Sequence, residues 1–183
     1  MKDFERKNLM FSLCGLNCGL CPMKLGGYCP GCGGGPGNQS CSFARCSLSH
    51  GKVEYCSQCP EFPCDKYDGV EQYDSFITHQ CQMRDLQRAR KIGVDAYNEE
   101  LEKKRVILEK LLNEYNDGRK KTFYCVAVNL LDLEELENAM REVEAFDSSH
   151  TLTVKEKAER IKSVFDDLAQ QKNMVLKLRK KTK

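Results

Sequence analysis

The sequence predicts a mainly α fold in two parts: a small cysteine-rich, metal-stapled module over residues 9–68 and an all-α helical region over 69–183. Three observations carry this reading. Ten of the 12 cysteines fall between Cys14 and Cys64. The same window holds ten of the 13 glycines and all five prolines. From Asp65 to Lys183 there is no proline, and apolar residues recur there at helical spacing. The composition changes near residues 64–70.

The chain of 183 residues is long enough for one domain, or for one domain and a small module. Its 29 basic residues nearly balance 27 acidic ones, so no net charge draws it to nucleic acid or to a membrane. No apolar run approaches the roughly 18–20 residues of a membrane-spanning helix. The start, "MKDFERKNLMFSLCG", has an acid at position 3 and a near-apolar patch only from Leu9 to Leu13, too short for a signal-peptide core. The expectation is a cytoplasmic protein.

Taken in order, residues 9–64 are loop-rich, because glycine admits φ > 0 and proline fixes φ. The apolar residues there, such as Phe11, Leu13, Leu20 and Phe62, are too few for an independent core, so cross-links must supply stability. Val70, Tyr73, Phe76, Ile77 and Cys81 follow helical spacing, with Gly93 as the residue that ends the helix. Tyr97, Leu101, Leu108, Leu111, Leu112 and Tyr115 mark the next helix, stopped by "NDG" at Gly118. "FYCVAVNLL" (123–131) fits a buried strand or a buried helix equally well. Asp132 with Glu135, and Thr153 with Glu156, are cap signatures. Val154, Ala158, Ile161, Val164, Phe165 and Leu168 make a stripe along the last helix. Four or five helices packed as a small bundle are expected. The terminal "QKNMVLKLRKKTK" reads as a frayed helix end whose cations suit the helix dipole, with a phosphate or acidic-partner contact as the sharper alternative.

The ten clustered thiols are spaced C-x3-C-x2-C-x7-C-x2-C-x8-C-x4-C-x9-C-x2-C-x4-C, from Cys14 through Cys18, Cys21, Cys29, Cys32, Cys41, Cys46, Cys56 and Cys59 to Cys64. Two residues between thiolates let one tight turn aim both sulfurs at one ion, and three such pairs are present: Cys18/Cys21, Cys29/Cys32 and Cys56/Cys59. Structural Zn²⁺ takes four ligands in a tetrahedron, so two Cys₄ sites, about two ions, would use eight of the ten. The most local set is Cys29, Cys32, Cys41 and Cys46. It leaves Cys14, Cys18, Cys21, Cys56, Cys59 and Cys64, six thiols for one remaining zinc. Two are then spare, or some bridge two metals, or His50 or His79 completes a third site. A pairing of Cys18/Cys21 with Cys29/Cys32 is equally allowed.

Thiolates in this pattern also bind iron–sulfur clusters, and a disulfide framework is the third reading, requiring an oxidising compartment. Cys14-x3-Cys18-x2-Cys21 is similar to the cluster motif of radical S-adenosylmethionine enzymes over eight residues. The enzyme alternative that this resemblance implies is a radical or redox activity at that cluster. Its flanks here are loop-rich, without the strand–helix alternation of those enzymes.

Other candidates each have a plainer reading. His50 in "LSHGKV" is a possible zinc ligand or an exposed turn residue. His79 and Cys81, two apart on a predicted helix, do not face the same way. Cys125 reads as a small buried hydrophobe and His150 as a loop residue. No Ser–His–Asp signature, H-E-x-x-H, P-loop or dinucleotide fingerprint is present. Six Lys/Arg against four acids in residues 1–64 make no basic face, which argues against nucleic acid.

"CGLNCGLCP", "CPGC", "CSFARC", "CSQCPEFPC" and the following "THQCQMRDLQRARKIGVDAYNEE" together resemble a prokaryotic cysteine-rich family of unknown function to which zinc binding is attributed. The similarity runs over roughly residues 12–100 and takes in all ten clustered cysteines in order. It implies metal ligands among Cys14 to Cys64 and no catalytic residue. The function expected is therefore zinc binding with a mainly structural metal, supporting a loop surface for a protein partner.

Overall fold

The computed structural model describes residues 3–35 and 41–181. Pro36 and Gly37 of the glycine-rich stretch, and the terminal Lys183, lie outside the described residues. Among those described there are seven α-helices and no strand. They are α1 (Pro22–Leu25), α2 (Ser42–Ser49), α3 (Gln82–Ile92), α4 (Val94–Glu114), α5 (Lys121–Leu130), α6 (Leu133–Ser148) and α7 (Val154–Gln171). Short 3₁₀ turns lie at Cys18–Leu20, Cys56–Gln58 and Asp65–Tyr67. The mainly α fold with a cysteine-rich N-terminal part is as the sequence predicts. Among the described residues, no helix is long and apolar enough to cross a membrane.

The chain divides into two compact units, Met1–Leu101 with Leu178–Lys183, and Glu102–Lys177. The packing boundary therefore differs from the composition boundary near 64–70. The cysteine-rich segment buries Phe11, Leu13 and Leu20, and it completes this small core with side chains from later in its unit: Leu86 and Ala89 of α3, and Tyr97 and Leu101 of α4. Phe11 lies between two rings, Tyr55 at 5.5 Å and Tyr97 at 4.7 Å between centroids. A buried polar chain fixes the register of the cysteine loop on these helices. Tyr97 Oη donates to Asn17 Oδ1 (2.9 Å), and Asn17 Nδ2 donates to Asp85 Oδ2 (2.8 Å).

The helix predicted to start at Val70 begins only at Gln82. Its end is as expected: α3 stops at Gly93, which takes a positive φ of 91°. Residues 70–80 are turns because side-chain carboxylates capture the backbone there. Asp74 Oδ1 accepts from the His79 N–H (2.6 Å) and the Thr78 hydroxyl (3.3 Å), competing with helical bonding. Glu71 Oε1 then accepts the Met83 N–H (2.9 Å), one of the orphan donors in the first turn of α3. Phe76 is left 67 % exposed, while Ile77 is buried. His79 and Cys81 consequently lie before α3 rather than on a helix, with Cys81 at the N-cap.

In the second unit, "FYCVAVNLL" is helical. Residues Tyr124 to Leu131 are all buried, which explains why the run has no polar face to reveal its period. Tyr124 donates from its hydroxyl to the Tyr115 carbonyl (2.6 Å), closing the turn between α4 and α5. Both predicted caps are present as capping boxes, Asp132/Glu135 on α6 and Thr153/Glu156 on α7. Burial pairs Leu136, Ala139 and Val143 of α6 with Ala158, Ile161 and Phe165 of α7 as the inner faces of two packed helices.

The basic terminus departs from the expected frayed helix end. α7 stops at Gln171 and Asn173 takes φ 53°. Farther on, within the first unit, Arg179 and Asp74 exchange bonds. The Asp74 N–H donates to the Arg179 carbonyl (2.8 Å) and the Arg179 N–H donates to Asp74 Oδ2 (2.6 Å).

Phe165 is fully buried. Phe165→Ala should lower stability by about 3–5 kcal/mol through the cavity it leaves, and Thr153→Ala by about 1 kcal/mol through the lost cap. Urea unfolding followed by helical circular dichroism checks both, and equal losses would mean that the α6–α7 core is not close-packed.

Candidate metal centre

Each cysteine pair is built on a turn that its neighbours permit. Cys18 opens a 3₁₀ turn in which the Cys21 N–H returns to the Cys18 carbonyl (3.1 Å). Cys56 and Cys59 repeat this at 3.0 Å. Between Cys29 and Cys32, the Gly31 N–H donates to the Cys29 sulfur at 3.4 Å. Gly33, immediately after this pair, has φ 80°, and a Cβ there would meet the Arg6 backbone nitrogen at 2.8 Å. Only glycine lets the N-terminal strap pass so close.

The ten thiols fall into two sets. Cys14, Cys18, Cys21, Cys29, Cys32 and Cys41 line one cavity of about 460 Å³. Cys46, Cys56, Cys59 and Cys64 line another of only about 20 Å³. The local set read from spacing, Cys29/Cys32/Cys41/Cys46, is divided between them: Cys46 stands with the later thiols and the other three line the larger cavity. Helix geometry gives the reason. Cys41 caps α2 and Cys46 lies within it, and five residues of α-helix rotate a side chain to a direction roughly 140° away. The C-x4-C pair therefore feeds both cavities. No cysteine of the 12 is in a disulfide. Among the described residues, no three His, Cys, Asp or Glu side chains converge closely enough to hold an ion as they stand.

Electrostatics divides the thiols in the same way. Burial pushes the Cys14 thiol far up, and negative charge on Cys32, Cys41 and Cys18 raises it further. Cys18 is pushed up to about 11, first by burial and then by Cys32, Cys21 and Cys29. Cys56 is pushed up to about 11 by burial and by Cys64, Cys46 and Cys59. Each thiol thus feels members of its own set. Such desolvated, crowded sulfurs are poor thiolates alone, and a cation between them removes both the burial penalty and the mutual repulsion.

Tyr67 stands between the sets. It is buried, its ring packs on Phe43 (4.9 Å) and edge-on to Phe62 (5.3 Å), and its hydroxyl donates to the Cys14 carbonyl (3.2 Å). It also hydrogen-bonds the Cys56 side chain, across from the first set. Gln82 Nε2 of α3 donates to the same Cys14 carbonyl (2.9 Å). Next to Cys14, Gly15 takes φ 97°, where a Cβ would lie 2.5 Å from the Gln82 carbonyl oxygen. Arg6 brings a cation to Cys32. Its side chain is 1 % exposed, bonds the Phe11 carbonyl (2.8 Å), pairs with Glu54 (3.2 Å) and interacts with Cys32.

Arg6, Tyr67 and Gln82 were not legible as site residues in the sequence, since each is separated from its thiols by chain of no fixed period. His50 lies at the rim of the four-thiol set. Its Nδ1 is 3.5 Å from the Cys46 sulfur and 2.8 Å from the Cys46 carbonyl, and its Nε2 is 3.5 Å from Glu61. A wide polar cavity of about 800 Å³, lined by Arg45, His50, Glu61 and Lys66, opens beside it. His79 contacts Ser75 (3.0 Å) and lines neither of these two cavities. Cys125 is a buried helical residue, as expected, and His150 bonds the Phe146 carbonyl at the end of α6.

Comparison with known families now has a geometry to refer to. Residues 25–69 match the family model described as Protein of unknown function (DUF3795). The DUF3795 match is narrower than the resemblance over 12–100. It takes in all four thiols of the smaller cavity, together with Cys29, Cys32 and Cys41 of the larger one. Cys14, Cys18 and Cys21 lie before the DUF3795 segment, yet they complete the larger cavity. No curated protein and no solved structure matches the chain.

Tyr67→Phe keeps the ring packing and removes the hydroxyl bonds, and should cost about 1 kcal/mol. Gly15→Ala forces a contact with backbone and should cost at least as much, roughly 1–3 kcal/mol. Both are measured by urea unfolding of the full chain. Indifference to Gly15→Ala would show that the Cys14 turn does not depend on its packing against α3.

Proposed function

We propose that the cysteine-rich segment is a zinc-binding module whose metal is structural, and that the chain works in the reducing cytoplasm, presenting a rigid loop surface to a protein partner. The observation that carries the reading is the sorting of ten thiols onto two cavities in a segment with so few apolar side chains. The residues suit the metal. Soft thiolates on tight turns favour zinc, and the set of Cys46, Cys56, Cys59 and Cys64 has the four donors that a tetrahedral site requires. Zinc held there converts binding energy into folding energy, so loops that bury little surface become ordered. No reaction is assigned to it.

The second reading is an iron–sulfur centre serving a redox or radical reaction. What favours it is that Cys14, Cys18 and Cys21 all line the larger, more open cavity.

Anaerobic purification followed by metal analysis and a visible spectrum separates the two. Colourless protein with zinc and no iron is expected. Brown, air-sensitive protein containing iron and sulfide would replace the zinc reading with the second one. Strong chelation of the zinc protein should open residues 14–64 to protease first while most of the helical signal persists. Unchanged cleavage in that segment after metal removal would show that metal is not its staple.

A further inference from the structure

We infer that the two cavities hold centres of different nuclearity: one zinc ion on Cys46, Cys56, Cys59 and Cys64, and a thiolate-bridged zinc pair on Cys14, Cys18, Cys21, Cys29, Cys32 and Cys41. The inference rests on the zinc reading above and specifies its stoichiometry and ligand sets, giving three ions where spacing alone suggested about two.

Ligand arithmetic comes first. A tetrahedral ion uses four donors. The smaller set supplies four and no more among its cysteines. The larger set supplies six, and a single ion there would leave two thiols of the same cavity without a metal. Two tetrahedral ions need eight donor positions. Six thiolates fill them when four bind one ion each and two bridge both.

Space agrees with the count. The cavity that all four thiols share, at about 20 Å³, has room for little more than one atom-sized occupant, and only Cys46 and Cys64 of the four also border the wide polar cavity beside it. The six-thiol cavity, at about 460 Å³, does not limit its contents to one ion. Charge agrees as well. Six thiolates and two divalent ions leave a net charge of −2, and donors stand beside the sulfurs to accept it. The Ser12 hydroxyl lies 3.3 Å from the Cys14 sulfur and the Gly31 N–H points at Cys29, while Arg6, buried next to Cys32, is already paired with Glu54. Cys56 lines the smaller cavity and not the larger one, and Tyr67, packed on Phe43 and Phe62, bonds both the Cys14 carbonyl and the Cys56 side chain.

The test uses the full chain, expressed with zinc and purified without oxygen. Zinc per chain should be close to three, with all ten clustered thiols protected from alkylation. Cys59→Ser should lose about one ion and the double variant Cys18→Ser/Cys32→Ser about two. Because either variant could unfold, the unsubstituted protein is also loaded with ¹¹³Cd. Three thiolate-range resonances are expected, two of them split by coupling through shared sulfur and the third a singlet. Two zinc ions per chain with two alkylatable thiols among the six, or three uncoupled cadmium resonances, would overturn the bridged pair and leave structural zinc standing. Iron in place of zinc, or no metal at all, would overturn both.

Discussion

The segment from Cys14 to Cys64 must fold with very few apolar side chains, and the rest of the first unit is arranged around that shortage. Phe4, Leu13 and Ala44 make a small cluster whose partly buried neighbours include Cys32, Cys41 and Cys56. At about 25 cal/mol per Å² of apolar surface, so small a cluster cannot offset the entropy of ordering fifty residues of loop. Two other forces act here. One is burial against α3 and the start of α4, which lend Leu86, Ala89 and Tyr97. The other is a set of buried polar bonds that converge on the cysteine loop, from Tyr67 and Gln82 to the Cys14 carbonyl and from Tyr97 through Asn17 to Asp85.

Those bonds hold the backbone, but they leave the sulfurs in an environment that favours neither charge nor close approach. Cys14, Cys18, Cys32 and Cys56 have their acidities suppressed by burial and by neighbouring thiols. Under the proposed zinc reading, a divalent cation would neutralise the thiolates and draw them together. The turns are already in place: two cysteine pairs lie on 3₁₀ turns, and the third receives a backbone N–H at its sulfur. Tyr67 links the problem of the loops to that of the sulfurs, since the same ring that packs on Phe43 and Phe62 carries the hydroxyl at Cys14.

The second unit is conventional by comparison, and much of it was legible in the sequence. Capping boxes work through bonds between residues three apart, so Asp132/Glu135 and Thr153/Glu156 announce their helices without tertiary information. Where sequence reading went astray, longer-range or non-periodic effects were responsible. Val70 to Cys81 has helical spacing, yet Asp74 takes the backbone N–H of His79 and holds a turn. The basic terminus reads as a fraying end, yet the Arg179 backbone accepts from the Asp74 N–H and donates to the Asp74 carboxylate, 105 residues away. α5 is apolar on every side, so its pattern contained no period to read.

By itself, the sequence determined the two kinds of structure, the helical character of the later chain, and the ten residues whose chemistry suits metal. These follow from composition and from spacings of a few residues, which local geometry converts directly into turns, caps and faces. Only the tertiary structure decided which thiols keep company. Spacing alone groups Cys46 with Cys29, Cys32 and Cys41, but α2 turns that residue away from Cys41 and toward Cys56, Cys59 and Cys64. A thiol's neighbours in space depend on the direction in which its backbone aims it and on what packs between, and neither is encoded in the number of residues separating one cysteine from the next.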